Sequence, residues 1–122
     1  APNSKFDFLF RFFDMNEAAY AYHRHCLSAE GEINKTFLRT MELVADELFD
    51  EGVKTNPSVK PEYIKARILE RRYGLQYQFD SANIKEGCRS QDSERANAHY
   101  TEFSRFDRTQ ISHFISKETQ EQ

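Results

Sequence analysis

Residues 5–26 read KFDFLFRFFDMNEAAYAYHRHC, and whether this stretch is strand or helix decides the fold. Phe6, Phe8, Phe10 and Phe12 alternate with a period of two, as a half-buried strand would, but the alternation lapses after one short run. Phe8, Phe12, Met15, Ala19, Tyr22 and Cys26 instead recur at alternating intervals of four and three, and no Gly or Pro interrupts from Ser4 to Ser28. The longer pattern is the seam of an amphipathic helix of about five turns, and it predicts a helical first element.

Working outward, the same periodicity recurs. A second helix follows Gly31, with Ile33, Phe37, Met41, Val44 and Leu48 on one face, and Gly52 reads as its stop because glycine enters left-handed geometry cheaply. Thr55-Asn56-Pro57-Ser58 is a turn, and Pro61 suits the first position of a third helix, where its missing N–H has no partner to lose. Ile64, Ile68, Leu75, Phe79 and Ala82 form its stripe. Gly74 should weaken that helix by about 1 kcal/mol relative to Ala, with a kink or break near Tyr73, and Gly87 closes it. Ser90 or Asp92 caps a fourth helix bearing Ala96, Tyr100 and Phe103. Asp107 and Gln110 then stand at capping-box spacing before Ile111, Phe114 and Ile115, so this last segment is either one bent helix or a helix plus a short one, split near Asp107. Residues 117–122 read as a frayed polar tail.

A chain of 122 residues supports one core, so residues 1–122 are read as a single helical domain. Short connections force neighbouring helices to alternate in direction, and the fold expected is an all-α antiparallel four-helix bundle. Cys26 then ends the first helix and Cys88 follows the third, at the same pole. An even, widely spaced pair of cysteines reads as a disulfide in an oxidising compartment, the alternative being two buried free thiols. A disulfide closing a loop of that length stabilises a fold by about 4 kcal/mol on the chain-entropy account. The start at Ala1-Pro2-Asn3-Ser4, without Met, is how the product of signal-peptide cleavage would begin, which predicts an exported protein.

Several chemistries find no support in the residues. Mean hydropathy is -0.81 and no run is long enough to span a bilayer, so no membrane insertion is expected. The 17 basic and 20 acidic residues are interspersed with a net charge of -3, so nucleic acid is not an expected partner. His23 and Cys26 stand three apart, near enough to share a metal, but His99 and His113 complete no ligand set with workable spacing. Glu-x-x-His repeats, Cys-x-x-Cys-His, Gly-rich phosphate loops and nucleophile elbows are all missing, so no metal, no cofactor and no enzymatic activity are expected. Asn34-Lys35-Thr36 fits a glycosylation sequon but falls inside the second predicted helix and is discounted.

Two surface patterns point to binding instead. The first helix carries a second apolar stripe, Phe6, Phe10, Phe13 and Tyr20, which either meets a second copy in a homodimer or marks that helix as central in the bundle. On the second helix Glu42, Asp46 and Asp50 recur at intervals of four with Glu47 and Glu51 beside them, either a solvated face or an acidic docking surface for a cationic partner. Lys65, Arg67, Arg71 and Arg72, with Glu70 and Tyr73, form a mixed Arg- and Tyr-rich stretch suited to anchoring an interface.

With KFDFLFRFFDMNEAAYAYHRHC at the front, PEYIKARILERRYG in the middle and a helical two-cysteine layout, the chain resembles exported immunity proteins of type VI secretion. It is similar in particular to those that neutralise a lysozyme-like peptidoglycan hydrolase fused to a VgrG spike. The resemblance implies a periplasmic, all-helical, dimeric inhibitor that binds the effector's muramidase domain and occludes its substrate cleft. It transfers no catalytic residues. Lysozyme-type hydrolases are often basic, which would give the acidic face a partner. The competing classes are an exported helical adaptor or chaperone that holds an apolar partner segment on Phe6, Phe10 and Phe13, and, third, a small periplasmic enzyme.

Overall fold

A computed structural model describes residues 4–28 and 30–119. The helices are α1 (Lys5–Cys26), α2 (Gly31–Thr55), α3 (Pro61–Glu86), α4 (Gln91–Phe103) and α5 (Arg108–Thr119). The protein is all-α over the described residues, with five helices where four were expected, because the last segment takes the split alternative at the capping box. Asp107 N–H donates to Gln110 Oε1 and Gln110 N–H to Asp107 Oδ1, each at 2.8 Å, so α5 starts afresh with its first donors satisfied. The break has a packing reason. It turns Phe106 and Phe114 back toward Phe103 (5.2 and 5.1 Å between ring centroids), and Phe103 in turn lies 4.8 Å from Phe12 of α1. Lys117–Thr119, read as part of a frayed tail, belong to α5, and residues 120–122 lie outside the described residues. So do residues 1–3, on which the expectation of a cleaved leader rests.

α1 is central and packs against all the other helices. Its buried residues, among them Leu9, Phe12, Phe13, Glu17, Ala19 and Ala21, cover far more than one seam, whereas Met15, expected inside, is 38% exposed. On α2 the expected face is buried from Phe37 to Leu48, but Ile33 in the first turn is 62% exposed. Ser4 and Ser90 cap α1 and α4, each accepting a backbone N–H three residues on at 3.1 Å.

Two glycines depart from their sequence reading. α3 runs unbroken through Gly74, so the helix does not break there. Gly52 does not end α2, which continues to Thr55; it is buried, and a Cβ there would come within 3.0 Å of Ile64 Cγ2. Its small size sets how closely α2 and α3 approach. Gly87, at φ 79°, closes α3 as expected and leads into Cys88, which is bonded to Cys26 with the two Cα atoms 5.9 Å apart. The disulfide therefore ties the C-terminal ends of α1 and α3.

Candidate partner-binding surfaces

α3 is unusual in burying no residue at all. Ile64, Ile68, Leu75, Phe79 and Ala82 face inward as expected but are only half-buried. Charge supplies what apolar burial does not. Arg71 donates to both oxygens of Asp14 (2.8 and 2.6 Å), and Arg24 of α1 donates to both oxygens of Asp80 (2.6 Å each). Between them Arg72 Nε donates to Glu17 at 2.9 Å and Gln76 Nε2 donates to the other Glu17 oxygen at 3.3 Å. Arg71 and Arg72 also lie over the Phe10 and Phe13 rings, 4.6 and 5.4 Å from their centroids. Both arginines, read as interface anchors, are thus paired within the chain; Arg72 is only 18% exposed, whereas Arg71 keeps 41% of its side chain exposed. That corrects the sequence reading of Arg72. Arg67 is exposed and, alone of the three, is free of any hydrogen bond or ion pair among the described residues.

Glu17 is fully buried, which pushes its carboxyl pKa up, against the opposing pull of the Arg72 charge and the hydrogen bonds from Arg72 and Gln76. Nothing in the sequence marked it as internal, since a lone Glu on a helix usually faces water.

The outer face of α3 is the larger surprise. Leu69, Tyr73, Tyr77 and Ile84, at intervals of four, four and seven, project to solvent with exposures of 38, 65, 77 and 70%. They lie almost opposite Ile64, Ile68, Leu75 and Phe79, so the helix has two apolar stripes, and the periodicity used to find the first would also have revealed the second.

The acidic residues of α2 do not act as one face. Glu42 accepts from Arg72 at 3.4 Å and Glu47 stands 3.8 Å from Lys5, whereas Asp46 and Asp50 are exposed and unpaired among the described residues. Glu51 is half-buried. Glu42 and Asp46 also border a cleft of about 620 Å³ whose far wall, from the α4–α5 turn and the start of α5, carries Arg105 and Arg108, with Arg39 on the α2 side. These arginines share the cleft with the two carboxylates, and one helix read alone could not show them.

The stripe on α1 is largely covered by the chain itself. Phe13 is 1% exposed, so its proposed role in a dimer contact is corrected, and Phe6, Phe10 and Tyr20 are half-buried against the core. This is the central-helix alternative. Phe6, Phe10 and Phe13 nonetheless share a cleft of about 450 Å³ with Leu48, Ile64, Ile68, Arg67, Glu70 and Arg71, which gathers residues from two separate sequence patterns into one place.

Two of the histidines, His23 and His99, are structural. His23 stacks on Tyr100 with centroids 3.5 Å apart, and its Nε2 is 3.0 Å from Asn97 Oδ1; burial lowers its pKa. His99 sits among Phe12, Phe37 and Phe103 with Nε2 2.7 Å from Asn16 Oδ1, and burial lowers its pKa to about 4. Cys26 is committed to the disulfide, and no group of three or more His, Cys, Asp or Glu could hold a metal ion among the described residues. Asn34 of the discounted sequon lies within α2, where Tyr100 Oη donates to its Oδ1 at 3.3 Å. Comparisons with protein families, with curated proteins and with solved structures returned no match for this chain.

Proposed function

We propose that this chain is a periplasmic immunity protein that binds a secreted, lysozyme-like peptidoglycan hydrolase and occludes its substrate cleft. The observation that carries the reading is the outer face of α3, where Tyr73 and Tyr77 stand exposed one turn apart between Leu69 and Ile84. Exposed tyrosines on a rigid helix supply large contact area at little cost in side-chain entropy, and Tyr is enriched among residues that dominate binding energy. The ion pairs to α1 and the disulfide at its end hold α3 in place before a partner arrives, which lowers the cost of association. Asp46 and Asp50, exposed on α2 and unpaired among the described residues, would draw in a basic hydrolase without fixing its affinity. The disulfide is compatible with an oxidising compartment, and no helix among the described residues is long and apolar enough to cross a membrane. The sequence resemblance to immunity proteins of type VI secretion supplies the partner class.

The test is a turbidity assay of peptidoglycan lysis by the effector's muramidase domain with an equimolar amount of the chain. Lysis should stop, and the double variant Tyr73→Ala/Tyr77→Ala should need about thirtyfold more protein, the equivalent of one hot-spot loss of about 2 kcal/mol. Undiminished lysis with no co-elution of the two proteins would sink the reading. That result would favour the adaptor alternative, for which the open cleft over Phe6 and Phe10 offers a place for an apolar segment.

A further inference from the structure

We propose that the cleft between α1, α2 and the first half of α3 is a binding site for a small zwitterion with an apolar body, an aromatic or branched α-amino acid. The site is separate from the outer face of α3 and does not depend on the inhibitor reading.

Its floor is apolar and fixed. The Phe6 and Phe10 rings meet edge to face with centroids 5.3 Å apart, and the buried Phe13 and Leu48 line the same space. Ile64 and Ile68 form the opposite wall, and Gly52, lacking a side chain, lets Ile64 approach α2 closely. The volume of about 450 Å³ falls in the range of small-molecule sites, roughly 300–1,000 Å³.

The rim decides the ligand class. Its charged groups are Arg67, Glu70 and Arg71, all from α3. Arg71 is closed off: it donates twice to Asp14 and its guanidinium lies over Phe10, so it serves as a neutralised wall. Arg67 and Glu70 are both exposed, and neither has a hydrogen bond or ion pair among the described residues. Three apart on one helix, their Cβ atoms are about 5–6 Å from each other. A plain carboxylate at this rim would be attracted by Arg67 and repelled by Glu70, and a plain amine would meet the reverse. A ligand bearing both charges on neighbouring atoms satisfies both groups at once, its carboxylate on the Arg67 guanidinium and its ammonium on the Glu70 carboxylate. Its side chain then covers the Phe6 and Phe10 rings.

The experiment is a titration of the full chain, followed by the NMR ring resonances of Phe6 and Phe10. The probes are L-phenylalanine, 3-phenylpropanoate, which lacks the ammonium, and phenethylamine, which lacks the carboxylate. Phenylalanine should saturate, and each analogue should bind about tenfold more weakly or worse, the effect of losing one charge-assisted hydrogen bond. Arg67→Ala, an exposed substitution whose folding is checked by circular dichroism, should weaken phenylalanine by the same factor while leaving phenethylamine unaffected or tighter. Failure of phenylalanine to saturate would overturn the proposal, as would analogues that bind as well as the amino acid or an Arg67→Ala variant that binds it unchanged.

Discussion

Replacing Arg72 by Met should destabilise the chain by about 3–5 kcal/mol, the usual cost of leaving one member of a buried ion pair without its partner. The structure puts this site in that class. The Glu17 side chain is 0% exposed and that of Arg72 18%, with 2.9 Å between the bonded atoms. The apolar stem of Met can still cover Phe13, so lost packing contributes little beside the stranded carboxylate. The loss is a large share of the stability of a domain this size, about 5–15 kcal/mol. It also carries a pH signature. The folded-state pKa of Glu17 is raised above 4.5, so above that pH the folded state holds a proton that the unfolded chain has released, and stability falls as pH rises through that window. Removing Arg72 removes two influences that hold this pKa down, which extends the window upward. The deficit of Arg72→Met should therefore be largest near neutral pH and shrink toward 4.5, where Glu17 folds uncharged. Adding Glu17→Gln should recover most of the loss at neutral pH. Urea midpoints of wild type, both single variants and the double variant at several pH values give the whole cycle. A deficit below about 1 kcal/mol, the range of exposed pairs, or one that does not vary with pH, would refute the account of α3 docking through a buried charge.

Further expectations follow from other parts of the fold. His99, with its pKa lowered from 6.5 to about 4, favours the folded state above that window, and about 3 kcal/mol should be lost as pH falls through it; His99→Gln should flatten this limb of a stability-against-pH curve. Cys26→Ser/Cys88→Ser should lower stability by about 4 kcal/mol, since the bond spans a sequence separation of 62, and the loss is read from the denaturation midpoint. Asp46→Lys/Asp50→Lys should slow association with the hydrolase by about tenfold at low ionic strength and much less in high salt, as stopped-flow measurement would show; an unchanged on-rate would remove α2 from the encounter.

Much of the helical layout is legible in the sequence because it depends on local rules. Pro61 at a first turn, Ser90 at a cap and the Asp107–Gln110 box each act within a few residues and lie where their spacing predicts, and residues 5–26 form the expected helix although its buried face is not the Phe8 to Cys26 seam. The misreadings concern contacts between helices. Gly52 looks like a stop signal until α3 is seen to press Ile64 against it, and Phe13 looks like a dimer contact until α1 proves central. Arg71 and Arg72 read as free anchors because Asp14 and Glu17, more than fifty residues earlier, show no sequence relation to them. The cleft beneath Arg67 and Glu70 is likewise formed by residues from three helices, and no single stretch announces it.

That α3 buries no residue has a consequence for how such a protein can change over generations. Substitutions at exposed positions usually move stability by less than about 0.5 kcal/mol, so the outer side of this helix is open to drift while Arg71, Arg72, Gln76, Asp80 and Cys88 keep it attached. Selection acting on Leu69, Tyr73, Tyr77 and Ile84 could retarget the surface repeatedly without renegotiating the interior. A library randomised at those positions should accordingly yield mostly folded members, and lineages of this scaffold should diverge fastest along that one strip.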